Sequence, residues 1–201
     1  MSASPAAFPL DLDWTGVWEF AYTTEMPATG AALPAGAAFC ATMPVPAYWD
    51  DELERLREAP FWSQARFNPD HRPLEYPLGD NPPDASTPFL LGVGWYRRRF
   101  GIPAAWAGRM AQLRVGGVKL EAWVWLNGQC LHHHLGHSTG FAIDLTPQLR
   151  PGADNEVIIA VANTRRDRLG CVIRGWKGFS AGITGPVSLH VAGNPCLTAA
   201  F

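Results

Sequence analysis

The sequence has no excess of either charge: 16 Lys and Arg stand against 18 Asp and Glu, a net charge of −2. Affinity for nucleic acid or an anionic membrane shows as a basic excess on a domain, so neither is an expected partner. The four cysteines, Cys40, Cys130, Cys171 and Cys196, contain no Cys-x-x-Cys pair. That spacing excludes zinc ribbons and thioredoxin-type redox motifs, and isolated thiols of this kind are expected to stay free and pack as small hydrophobes. The N-terminus has no basic start leading into an apolar run, and no later run is long enough for a membrane span. The expectation is therefore a soluble, cytoplasmic chain without a cofactor. Long helical periodicity is also scarce, and 20 Gly with 18 Pro favour turns and loops over long helices.

The sequence is rich in Trp, with nine, and in period-two alternation. Trp18, Phe20 and Tyr22 alternate on one side of a first strand over residues 14–22. From Trp95 onward the alternation is regular. Leu120, Ala122, Val124 and Leu126 share one face of a strand and Trp123 and Trp125 the other, ending at the Asn127-Gly128 turn. Val157 to Val161 is an unbroken apolar run, as a central sandwich strand requires, and Val187, Leu189 and Val191 close the pattern. Between these regions, residues 28–92 read as loop with one short helix. Asp50 to Ala59 carries early acids, Leu53 and Leu56 three apart, late Arg55 and Arg57, and then Pro60. Residues 60–92 hold seven prolines, whose missing N–H donors prevent a regular ladder. The fold expected is all-β, a two-sheet sandwich or jelly roll forming one domain over residues 1–201, with core strands at about 14–22 and 95–192.

Several segments carry a resemblance. They are Leu12-Asp13-Trp14-Thr15-Gly16-Val17-Trp18-Glu19-Phe20; Pro44-Val45-Pro46-Ala47-Tyr48-Trp49; Gly94-Trp95-Tyr96-Arg97-Arg98-Arg99-Phe100; and Val124-Trp125-Leu126-Asn127-Gly128 with the following His134 to Phe141 and Asp144-Leu145-Thr146. In this order they are similar to the N-terminal sugar-binding domain of family 2 glycoside hydrolases, the β-galactosidases and β-glucuronidases. The resemblance implies a galactose-binding-like jelly roll that packs against a separate catalytic barrel and, in some members, lends loop residues to the sugar subsite. It implies a non-catalytic, carbohydrate-binding accessory domain, as a fragment or subunit of such a hydrolase, with a galactoside or glucuronide and the barrel as partners. A protein-interaction sandwich that docks a partner or barrel without binding sugar is the alternative. Two positions depart from the family pattern: Arg174-Gly175-Trp176-Lys177-Gly178-Phe179 replaces its polar stretch before Gly182, and Pro73 stands where β-galactosidases present an Asn.

Glycoside hydrolysis requires two opposed carboxyl groups, and no readable motif here supplies them, so no catalytic residue is assigned. Asp50, Asp51, Glu52, Glu54 and Glu58 read as the solvated face of the short helix, and Asp144 as a turn residue. His132 and His134 would point one way from a strand and His133 the other, which leaves too few ligands for a metal site. A sugar site needs an aromatic platform with convergent polar groups. Trp62, Tyr76 and Asn81 in the Pro-rich loop and Arg174, Trp176 and Lys177 in the late loop are the candidates, with burial under their own loops as the competing reading. Trp123 and Trp125 are read as a docking surface for a neighbouring domain or subunit.

Overall fold

The computed structural model describes residues 8–24, 38–67, 90–136, 138–163 and 180–193. Thirteen strands lie among these residues: β1 (Leu10–Asp13), β2 (Gly16–Thr23), β3 (Ala41–Val45), β4 (Arg66–Phe67), β5 (Leu90–Leu91), β6 (Val93–Gly101), β7 (Ala111–Lys119), β8 (Glu121–Leu126), β9 (Gln129–Leu135), β10 (Thr139–Asp144), β11 (Asp154–Ala162), β12 (Gly182–Ile183) and β13 (Val187–Val191). A six-stranded sheet runs β3-β2-β6-β11-β8-β9 and faces a sheet ordered β1-β13-β7-β10 in which β12 also pairs with β7. β4 and β5 pair separately. All these pairings are antiparallel, and the molecule is a jelly-roll β-sandwich.

The alternation read from the sequence explains how the sheets face each other. Trp18 and Phe20 of β2, Tyr96 of β6, Val124 and Leu126 of β8, and Val157, Ile159 and Val161 of β11 meet Leu113, Val115, Val187 and Leu189 from the opposite sheet in one core. Each buried aliphatic side chain of this size contributes about 1.5–3 kcal/mol relative to exposure. β11 has strands on both sides and apolar residues on both faces, as its unbroken run implies. Its outward residues Ile158, Ala160 and Ala162 join Ala21, Val93, Trp95, Trp123 and Trp125 in a second cluster on the outer face of the six-stranded sheet.

The Asn127-Gly128 turn is as expected, with φ of 51° and 84°. Both residues sit in the left-handed region that a tight hairpin requires, and Asn tolerates it better than most side chains. Asn127 is further fixed by donating to Gln148 O at 2.9 Å and to Asn155 Oδ1 at 3.0 Å, and by accepting from the Glu156 N–H at 3.0 Å.

The expected helix is a 3-10 turn at Trp49–Glu52 followed by α1 (Leu53–Arg57), and Leu53 and Leu56 are buried in the core. Asp50 departs from the solvated face expected of it. It is buried, because the turn begins directly against the end of the six-stranded sheet, where its Oδ1 accepts from the Leu90 N–H at 3.3 Å. The region read as loop between residues 28 and 92 also contains β3. Among the described residues that strand pairs with β2 alone, and an edge position tolerates its Pro44.

Candidate functional site

One end of the six-stranded sheet collects most of the buried polar residues among those described. The register places Thr23, Val93, Ala162, Glu121 and Leu135 in a row across β2, β6, β11, β8 and β9. From this row the chain departs after Thr24 toward residues 25–37 and after Asn163 toward 164–179, and it returns from 68–89 through Leu90, Leu91 and Gly92. Six polar or charged residues are buried among those described: Asp50, Lys119, Glu121, Asn155, Asn163 and Ser180. All but Asn155 lie at this end, on or beside the row. A buried charge is costly unless it is paired, so such a concentration marks a specified arrangement and not incidental burial.

Glu121 is 2% exposed and its Oε1 lies 2.7 Å from His133 Nε2. The His133 ring stacks on Trp123 with centroids 4.8 Å apart and planes 12° from parallel, which orients the imidazole toward the carboxylate. Lys119 is buried beside the Tyr48 ring, its Nζ 5.7 Å from the centroid, within range of a cation–π contact. The Asn163 carboxamide donates to Leu90 O at 2.7 Å and accepts from the Gly92 N–H at 3.0 Å. The Tyr22 hydroxyl donates to Leu91 O and accepts from the Arg66 N–H at 3.1 Å. Burial pushes that hydroxyl above the ordinary phenol range, so it remains a donor at neutral pH.

Of the candidate sugar contacts, Trp62 falls in the 3-10 turn Pro60–Gln64, half-buried, with the Arg57 guanidinium 6.0 Å from its ring. Its neighbour Phe61 has its ring 5.4 Å from that of Tyr22, so Trp62 belongs to the same end of the sandwich. Tyr76, Asn81, Arg174, Trp176 and Lys177 lie outside the described residues. The docking surface expected at Trp123 and Trp125 meets a different arrangement. Both indoles are buried within the chain, at 2% and 0% exposure, and Trp125 packs on Trp95 with centroids 5.6 Å apart. They share a cluster with Ala21, Val93, Trp95, Ile158, Ala160 and Ala162 on that face.

His132 and His134 point into the sandwich edge against Phe141, at centroid distances of 5.1 and 4.6 Å, while His133 takes the other face. His134 Nε2 lies 2.9 Å from Thr139 Oγ1, a structural hydrogen bond between β9 and β10. Among the described residues, no three His, Cys, Asp or Glu side chains converge to hold a metal ion. Cys40 and Cys130 are free thiols. Asp144 serves its turn, accepting from the Thr146 N–H at 2.9 Å. The consecutive arginines are engaged internally: Arg97 makes two bonds to Glu19 at 2.8 and 2.9 Å, Arg98 donates to Trp14 O at 3.2 Å, and Arg99 reaches Glu156 at 3.3 Å. The described acids Asp50, Glu121, Glu19 and Glu156 are thus held by neighbours in structural roles.

Sequence reasoning did not single out Asn163, Glu121 or Lys119. The available signal was positional: a polar residue directly at the end of an apolar strand run, which burial then obliges to find a partner.

No described helix is long and apolar enough to cross a membrane. Among curated relatives, the chain is 31% identical to a β-glucuronidase of Paenibacillus borealis over 113 residues, 56% of this chain and 19% of that protein. It is 32% identical to a β-galactosidase of Bacteroides ovatus over 106 residues, 51% of this chain and 12% of that protein. The chain thus spans less than a fifth of these relatives' length. Among solved structures, the Bacteroides uniformis β-glucuronidase 2 covalently bound to cyclophellitol-6-carboxylate aziridine superposes with a TM-score of 0.61 at 22% identity, covering 92% of this chain and 18% of that one. The Faecalibacterium prausnitzii β-glucuronidase gives 0.59 at 23% identity, covering 96% and 33%. The sequence model of the family described as "Glycosyl hydrolases family 2, sugar binding domain" matches residues 12–190, and the chain belongs to that family.

Proposed function

We propose that the chain is a non-catalytic carbohydrate-binding domain that works with a family 2 catalytic barrel and contacts a β-glucuronide or β-galactoside at the end of the six-stranded sheet. The observation that carries this reading is the extent of the family match, which spans residues 12–190 with the sugar-binding domain and with no part of a barrel. The chemistry of the described residues agrees with it. Asp50, Glu19 and Glu121 are tied into structural hydrogen bonds, whereas hydrolysis needs one protonated and one ionised carboxyl group free to act across the glycosidic bond. In this reading the barrel supplies those groups. Trp62, Tyr76 and Trp176 provide apolar ring faces for the sugar, and Asn81, Arg174 and Lys177 provide polar contacts to hydroxyl and carboxylate groups.

Calorimetric titration with methyl β-D-glucuronide and methyl β-D-galactoside tests the proposal. The expected result is saturable binding of one of them, weakened roughly tenfold by Tyr76→Ala or Trp176→Ala, since an aromatic contact is worth about 0.5–1.5 kcal/mol beyond the area it covers. Binding of neither glycoside, with or without a family 2 barrel present, would overturn the carbohydrate role.

A further inference from the structure

Leu90, Leu91 and Gly92 form the point at which residues 68–89 rejoin the sandwich, and their backbone is held in an unusual way. β4 and β5 pair over two residues each, too short a ladder to fix its own position. Side chains from three other elements complete the attachment. Asp50, in the turn before α1, accepts from the Leu90 N–H at 3.3 Å. Asn163, after β11, donates to Leu90 O at 2.7 Å and accepts from the Gly92 N–H at 3.0 Å, while its own backbone N–H donates to Gly92 O at 3.3 Å. Tyr22 of β2 donates to Leu91 O. The fit leaves no room for a side chain at residue 92: φ is +155°, and a Cβ there would lie 2.5 Å from Tyr22 Cε2 and 2.6 Å from Thr23 O.

Asn163 makes more of these bonds than any other residue and is 1% exposed. A carboxamide carries its donor and its acceptor on separate atoms, so it bonds the Leu90 O and the Gly92 N–H at once. We propose that Asn163 is a positioning residue for the Pro-rich connection: its carboxamide, supported by Asp50 and Tyr22, fixes the root from which residues 68–89 leave the sheet. For function, this rests on the carbohydrate reading above, in which Tyr76 and Asn81 of that connection are proposed sugar contacts.

The test is hydrogen exchange on the full chain, comparing Asn163→Leu, which keeps the branching at Cγ but removes donor and acceptor, with the unmodified protein. Exchange at Leu90 to Gly92 should quicken tenfold or more while the amides of β8 and the centre of β11 keep their protection. Asn163→Asp, which retains the acceptor for the Gly92 N–H, should fall between the two. Unchanged exchange at 90–92, or a rise matched in β8 and β11, would overturn the proposal by showing either no clamp or a general loss of stability. Should Asn163→Leu fail to fold, Tyr22→Phe removes one hydroxyl from the same attachment. It should speed exchange at Leu91 and Gly92 several-fold, and no local change there would count against the clamp. Titration with methyl β-D-glucuronide and methyl β-D-galactoside separates the two ideas. If the unmodified chain binds neither, the carbohydrate reading fails while exchange still decides the clamp. If it binds one, Asn163→Leu should weaken that affinity about as much as Tyr76→Ala does.

Discussion

His132 and His134 show how a single residue type takes different roles from strand alternation. Both rings face Phe141, and burial holds both imidazoles below their usual range, with neighbouring histidines adding a smaller push in the same direction. A base whose folded-state pKa is depressed binds fewer protons folded than unfolded, so stability is fully present above the unfolded value of about 6.5 and falls as the pH drops through it. Among the described residues, Phe141 and Thr139 from β10 contact this pair, while His133 lies on the reverse face of β9 against Glu121. The midpoint of thermal unfolding should therefore decline between pH 7 and pH 5, and His132→Phe should flatten that decline. A decline of unchanged slope in His132→Phe would assign the proton uptake elsewhere.

At the level of elements, β2 and β13 were legible from one-sided alternation, and the central strands from apolar residues on both faces. β8 and β11 read as central strands because Val124 and Trp125, or Ile158 and Ile159, are equally apolar though they point to opposite sides. Trp125→Ala should accordingly cost about 3–5 kcal/mol, the range for truncating a buried large aromatic. Val17→Ala, at 62% exposure on β2, should stay within about 0.5 kcal/mol. Chemical denaturation of the two variants side by side measures the contrast, and equal costs would mean that the outer cluster adds little to the fold. The strands that escaped reading are β1, β3, β4 and β5. They are two to five residues long, and β1 and β3 border or contain a proline, so neither length nor alternation distinguishes them from loop. What makes them strands is the neighbour they reach: β13 for β1, and β2 for β3.

Across the whole molecule, the two ends of the six-stranded sheet are held together differently, and this division was not legible in the sequence. Asn155 and Asn163 stand at opposite ends of β11, about 25 Å apart along an extended strand, and each is a buried asparagine with several bonds. Their partners are set by sheet register: Asn163 reaches Leu90, 73 positions away, while Asn155 reaches Asn127, 28 positions away. No local pattern announces either pairing. The Asn155 end is closed structure. Its carboxamide bonds Arg150 N and O, Ala153 O and Asn127 Nδ2. The Asn163 end holds the roots of the connections that carry every candidate sugar contact except Trp62, which lies beside them. Asn155→Ala removes the partner of four part-buried groups, which water can reach in its place, and the net cost should be about 1–3 kcal/mol. Because that loss is confined to the far end, glycoside affinity measured well below the unfolding midpoint should be unchanged in Asn155→Ala. In Asn163→Leu the affinity should fall even where the unfolding midpoint is matched to that of Asn155→Ala by choice of temperature. Equal affinities in these two variants would mean that the sandwich transmits stability uniformly and that its ends are not functionally distinct.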